Sequence, residues 1–169
     1  MRSIDSLVSE VKRNLESQSA PVNAPAVGTK KVADKVSPKK MTLDIAKKLA
    51  KAVEIAADII GVKVVVSVRD EGANLILLHA MDDSYIASVQ ASQDKAYTAV
   101  ALKMPTHKAL EESRGGALDG LTNGNGILLL GGGYPLGEDK IYGGIGVSGG
   151  TKEQDIVLAK VAALYFNTL

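Results

Sequence analysis

Apolar residues recur at helical spacing in two N-terminal parts of the chain. Residues 42–61 place such residues on one face, with Thr42 suited to cap the start of a helix and Gly61 suited to end it. Residues 2–18 show the same spacing, which predicts a short amphipathic helix whose apolar stripe needs a partner groove or a partner helix. This stripe consists of Ile4, Leu7, Val8, Val11 and Leu15.

The segment between these two helices has a different composition. Residues 19–40 contain Pro21, Pro25 and Pro38, together with small residues and several lysines. Such a composition cannot bury a core and is typical of a flexible linker. We therefore expect three parts: an amphipathic helix over residues 1–18, a linker over 19–40 and one folded domain over 41–169. The domain should remain stable without the first 40 residues.

Beyond residue 61 the pattern alternates between β-branched runs, turns and further helical stretches. Thr151 and Gln154 have capping-box spacing, which predicts the start of a last helix. Antiparallel hairpins with helices between them predict an α+β domain with a five-stranded, mainly antiparallel sheet. The expected strands are residues 63–68, 75–79 and 127–130, with two more in the glycine-rich stretch. The expected helices are residues 82–103, a shorter piece to residue 112, and residues 151–167. Asp82, Asp83 or Ser84 is expected to cap the first of these helices.

Glycine is concentrated in residues 131–150, where a hairpin leads into the last helix. Strands this rich in glycine suggest a cleft floor, a bulge or close contact with another chain. The stretch lacks the G-x-G-x-x-G spacing of dinucleotide sites and precedes a strand, not a helix. No nucleophile or metal-ligand cluster stands out beside it, so the sequence favours a binding site over a catalytic one.

The composition of the chain excludes several classes of partner and of site. The formal net charge of +1 gives no indication of nucleic acid or acidic membranes as partners. The absence of cysteine excludes disulfides, thiolate metal sites and cysteine nucleophiles. No apolar run approaches the roughly 20 residues of a membrane span, and the N-terminus lacks the apolar core of a secretory signal. We expect neither nucleic-acid nor membrane partners.

Two motifs resemble the GlcG/HbpS family, which includes the C-terminal domain of PduO. The first is the stretch D-K-A-Y-T-A-V-A at residues 94–101, followed by M-P-T at 104–106. The second runs from residues 131–135 to 145–150 and 153–155. The resemblance covers residues 41–169 and implies a profilin-like fold, a homo-oligomer, and binding of haem or a related tetrapyrrole such as a corrinoid. The adenosyltransferase domain of full-length PduO is absent from the sequence.

The N-terminal helix and linker resemble the encapsulation peptides that direct cargo into bacterial microcompartments. Because PduO-type domains occur in such systems, the two resemblances agree. They imply a protein of the bacterial cytoplasm, located inside a microcompartment, whose residues 2–18 bind a shell or cargo protein.

If haem is the ligand, the two histidines are the leading candidates for the iron. His107 follows the M-P-T motif at a helix start and is the first candidate; His79, at a strand end, is the second. Lys95 can face a propionate or lie on a solvated helix face. Tyr97 is expected in the core or in a pocket wall. Gly132 and Gly133 can give the macrocycle a flat surface.

Three functions are compatible with these features. The first is a haem- or tetrapyrrole-binding accessory protein carried as microcompartment cargo. The second is an enzyme that acts on a small molecule or a cofactor of the same pathway. The third is a non-catalytic oligomeric assembly module. No catalytic residues can be assigned from the sequence.

Overall fold

The computed structural model describes residues 3–18 and 40–169; the linker prediction therefore lies outside the described residues. The α+β class is confirmed. The elements are α1 (Ile4–Gln18), α2 (Leu43–Ile60), β1 (Val65–Asp70), β2 (Leu75–Ala80), α3 (Ile86–Leu102), α4 (Thr106–Glu112), β3 (Gly133–Leu136), β4 (Gly143–Ser148) and α5 (Lys152–Phe166).

Local signals set both ends of α2 and the start of α5. The Thr42 hydroxyl accepts from the backbone of Ile45, and Gly61 ends α2 in the left-handed conformation with φ 72°. Thr151 and Gln154 form the complete capping box of α5. The expected caps at residues 82–84 are wrong, because α3 follows Tyr85, which makes no side-chain capping bond.

Within the described residues the sheet has four antiparallel strands in the order β2-β1-β4-β3, not the five expected. Residues 127–130 make only one isolated bridge, between Gly124 and Ile127. Their backbone groups are bonded by side chains instead: Thr98 accepts from Leu128, Asn123 accepts from Leu129, and Thr106 donates to the carbonyl of residue 130. With these groups satisfied, the segment needs no partner strand.

Helices cover both faces of the sheet. On β4, Ile145 and Val147 point into the main core with α2 and α5, while Gly144 and Gly146 face α3. A Cβ on Gly146 would lie 2.6 Å from the Ala96 nitrogen and would also collide with the Ser92 carbonyl. Glycine on this face therefore lets α3 lie directly against the strands.

The N-terminal helix is docked on the domain instead of standing apart, which corrects the expected separation. Leu7 and Val11 are 2% and 1% exposed and belong to the main core. Helix α1 packs against α2 and α5. The partner that its apolar stripe requires is thus present within the same chain.

None of the helices in residues 3–18 and 40–169 combines the length and apolarity of a membrane span.

Candidate functional site

The two histidines lie at opposite edges of the sheet. His79 is on edge strand β2, opposite Val66 of β1. Its exposed ring uses Nδ1 to contact Glu54 Oε1 at 2.8 Å. His107 is in the first turn of α4, and its ring centroid lies 5.7 Å from that of Tyr134 on the other edge strand, β3. The structure therefore does not bring His79 and His107 into one site.

His107 has an unusual environment for an imidazole. Among the described residues, its Nδ1 is the only buried side-chain nitrogen or oxygen without a hydrogen-bond partner. Burial lowers the pKa of His107 below its ordinary value, so the ring is held in its neutral form. A neutral imidazole is the form that ligates metals.

Several charged side chains act on the His107 ring electrostatically. Glu111 raises the pKa of His107, but the positive charges of Lys108, Lys152 and Lys160 lower it. Two of these lysines are exposed and Lys160 is half-buried. We call His107, Tyr134 and the three lysines the β3-edge site.

Tyr134 supplies the aromatic wall of the β3-edge site. It is half-buried on β3, paired with Ile145 of β4. Burial raises the pKa of its phenol, which therefore stays protonated near neutral pH. Sequence reasoning did not select Tyr134, although its position next to the glycine run was a usable signal.

Lys95 is 0% exposed, so the interpretation as a solvated helix face is wrong. Its Nζ lies 2.7 Å from Asp155 Oδ2 and 2.9 Å from the carbonyl oxygen of Val147. Burial lowers the pKa of Lys95 and raises that of Asp155, while their attraction opposes both shifts. Because Lys95 Nζ and Asp155 Oδ2 are hydrogen-bonded at 2.7 Å, we interpret the two groups as an ion pair. Asp155 was missed because 60 residues separate it from Lys95 in sequence.

The glycines selected from the sequence are also enclosed. A Cβ on Gly132 would approach the Val147 carbonyl to 2.5 Å, and one on Gly133 would collide with the Lys95 carbonyl and the Thr106 side chain. Helix α3 and its neighbours already occupy the surface that these glycines form. Tyr97 lies elsewhere, half-buried beside Gly126 with the Arg69 guanidinium 5.8 Å from its ring centre.

The sequence of this chain is similar to those of known proteins. The family model described as "Haem degrading protein HbpS-like" matches residues 41–164. The chain belongs to this family. Two curated relatives come from Citrobacter freundii. A 15.0 kDa protein from the dhaT-dhaS intergenic region is 46% identical over 133 residues, which are 76% of this chain and 94% of that protein. Corrinoid adenosyltransferase PduO is 35% identical over 123 residues, which are 70% of this chain but 37% of PduO.

Two solved structures share the fold of this chain. Klebsiella pneumoniae protein ORFY has a TM-score of 0.71 and 39% identity, covering 82% of this chain and 99% of ORFY. The PduOC:heme complex has a TM-score of 0.69 and 33% identity, covering 75% of this chain and 94% of PduOC. The latter was crystallised with haem.

Proposed function

We propose that this HbpS-like protein binds haem, or a related tetrapyrrole such as a corrinoid, at the β3-edge site with His107 as the iron ligand. The observation that carries the proposal is the unpartnered, buried Nδ1 of a neutral imidazole at the border of the fold. A buried polar atom without a partner needs an explanation, and a ligand-binding role supplies one. The family model and the haem complex of PduOC support the choice of ligand.

The other residues of the β3-edge site fit a haem. Histidine and tyrosine are both known axial ligands of haem iron, and Tyr134 also offers an aromatic face. The positive charges of Lys108, Lys152 and Lys160 can neutralise the propionates. When bound, haem supplies iron that can take up a further ligand or an electron, while the protein controls access and polarity around it.

The remaining candidates have weaker support. His79 already contacts Glu54 and lies at the opposite sheet edge, so we keep it as the second candidate ligand only. We propose a structural role for Lys95, since Asp155 and the Val147 carbonyl bind its ammonium group. We place the macrocycle outside the enclosed surface of Gly132 and Gly133.

Absorption spectroscopy tests the assignment of the ligand. Purified protein titrated with haem should give a saturable Soret band, and His107→Ala should shift its maximum and weaken binding by about tenfold or more. His79→Ala is the matched control and should behave like the wild type. Identical spectra and affinities for the wild type and His107→Ala would remove His107 as the ligand. A Soret band that decays with added reductant would instead support the alternative of a cofactor-processing enzyme.

We also propose that the domain forms a homo-oligomer. Tyr85 and Ile86, at the start of α3, are 71% and 91% exposed, and a neighbouring subunit would bury them. Sedimentation should show a closed oligomer that Ile86→Lys dissociates, whereas Lys103→Ala, at the other end of α3, should not. A wild-type monomer at micromolar concentration would contradict this proposal and leave the assembly-module alternative without support.

Finally, we propose that the protein is microcompartment cargo and that α1 is its targeting element. The resemblance of α1 to encapsulation peptides and the relation to PduO support this. Because α1 docks on α2 and α5, a shell partner must compete with the domain for Leu7 and Val11. Residues 1–18 fused to a fluorescent protein avoid this competition and should enter shells, whereas the same fusion with Leu7→Asp and Val11→Asp should not. Equal entry of both fusions would contradict targeting through the apolar stripe.

A further inference from the structure

A cavity of about 270 Å³ opens between the first half of α3 and the junction of β4 with α5. Ala91 and Leu130 give it an apolar wall, and Tyr85 stands at its edge. It lies beside the β3-edge site, with Lys152 belonging to both. None of the roles proposed above places a ligand in this cavity.

Two serine hydroxyls in the cavity wall have no hydrogen-bond partner. Ser88 on α3 and Ser148 at the end of β4 are only 5% and 8% exposed, and both line the cavity. The buried serines Ser67 and Ser92 behave differently, since their hydroxyls bond to each other at 2.7 Å. Neither hydroxyl oxygen is among the fully buried polar atoms that lack a partner, so both are open to the cavity. They are therefore free to form hydrogen bonds with a polar ligand bound there.

The charges at the cavity select the kind of ligand. Lys95 and Asp155 both line it and neutralise each other, so Lys152 leaves an excess of one positive charge. An ammonium group has three protons, and Lys95 donates two hydrogen bonds, to Val147 and Asp155. The backbone N–H of Gly150 is not free, because it donates to Asp155 Oδ1 at 2.9 Å. Lys95 is 0% exposed, so the available donors are the two hydroxyls and the exposed Lys152.

We propose that this cavity is a second site, separate from the haem site, for a small organic carboxylate. Its carboxylate would accept hydrogen bonds from Ser88 and Ser148 and would be neutralised by Lys152. Its short apolar part would contact Ala91 and Leu130. Asp155, whose oxygens accept from Lys95 and Gly150, would hold the Lys95 ammonium in place beneath the ligand.

Propionate is a suitable test ligand, and propionamide is its uncharged analogue of the same shape. The full-length protein, labelled with ¹⁵N, is titrated with each at constant ionic strength. Propionate should produce saturable shifts of the amide signals of Ser88, Gly149 and Gly150, and propionamide should bind at least about tenfold more weakly. Absence of saturation with propionate, or equal binding of the two compounds, would overturn the proposal.

The double variant Ser88→Ala and Ser148→Ala tests the donors. It should weaken propionate binding about tenfold or more, while Ser84→Ala with Ser113→Ala, outside the cavity, should bind propionate as the wild type does. The cavity variant should fold normally, because neither removed hydroxyl has a partner to lose. Haem titration of this variant should match the wild type, so a failure of the carboxylate site is distinguishable from a failure of the haem site. Unchanged propionate affinity in the cavity variant would overturn the proposal. Lys152→Met is a second variant, at the surface, and it should also weaken propionate binding.

Discussion

Lys95 is among the largest of the completely buried side chains in the described part of the chain. A buried ammonium group is tolerated only when its charge and its protons find partners. Asp155 supplies the charge, and the Val147 carbonyl supplies a second acceptor. The pair therefore ties α3 to β4 and to the first turn of α5, next to the cavity.

Removing one member of this ion pair should lower the free energy of unfolding more than changing both members does. Lys95→Met should lower the free energy of unfolding by about 3–5 kcal/mol, because Asp155 is left buried without its cation. Adding Asp155→Asn should recover part of this loss, since an amide oxygen can still accept from Gly150. Denaturant unfolding of both single variants and the double variant checks this. Additive losses would show that the two groups are not coupled.

The lowered pKa of His107 predicts a dependence of stability on pH in the haem-free protein. The folded state resists protonation of this ring, so the unfolded state takes up the proton first as the pH falls. The contribution of His107 to stability is therefore complete above the unfolded pKa of about 6.5 and decreases below it. Between about pH 7 and pH 5, His107→Asn should lose less unfolding free energy than the wild type. An equal loss in both proteins would contradict the burial of the ring.

At the level of elements, the glycines of β4 determine how closely α3 approaches the sheet. Gly144 and Gly146 lie beneath the backbone and side chains of α3, where a Cβ on either would come within 3 Å of the helix. The sequence predicted the hairpin and its glycine richness, but not which face the glycines served. That depends on the contact between α3 and β4, elements about 50 residues apart, which the local pattern does not encode.

Gly146→Ala should therefore displace α3 and lower the free energy of unfolding by at least about 1–3 kcal/mol, as overpacking does. Gly72→Ala is the matched control in the exposed turn between β1 and β2. There the added Cβ would meet only side-chain atoms, of Asn74 at 3.0 Å and Asp70 at 3.4 Å. Thermal unfolding compares the two variants. Equal stability would contradict the close approach of α3.

Helix α1 gives a second prediction at this scale. A variant that begins at Met41 should still unfold cooperatively, as expected from the family match over residues 41–164. It should nevertheless be less stable by a few kcal/mol, because burying a Leu or Val side chain contributes about 1.5–3 kcal/mol and Leu7 and Val11 are both buried. Denaturant unfolding measures the difference. An unchanged midpoint would contradict the docking of α1.

For the whole molecule, sequence patterns were sufficient for the α+β class, the helix caps of α2 and α5, and the two hairpins. They were insufficient where contacts between residues distant in sequence determine the local structure. Residues 127–130 have the composition of a strand but are bonded by side chains of Thr98, Asn123 and Thr106. The amphipathic stripe of α1 showed that a partner was needed, but not that the partner was the chain's own domain.

The same distinction applies to the candidate site. His107 was selected from its residue type and its position after the M-P-T motif, whereas Tyr134 and the lysines of α5 join it only through the fold. Lys95, in the D-K-A-Y-T-A-V-A stretch, turns inward to Asp155.

The central claim is that haem binds at the β3 edge and not at the β2 edge. Paramagnetic broadening of ¹⁵N amide signals by ferric haem tests it most directly, with zinc protoporphyrin as the diamagnetic control. We predict that haem broadens the signals of His107, Tyr134 and the first turn of α5, and that those of His79 and Ala80 stay sharp. Broadening centred on His79, or none around His107 with haem bound, would contradict the account.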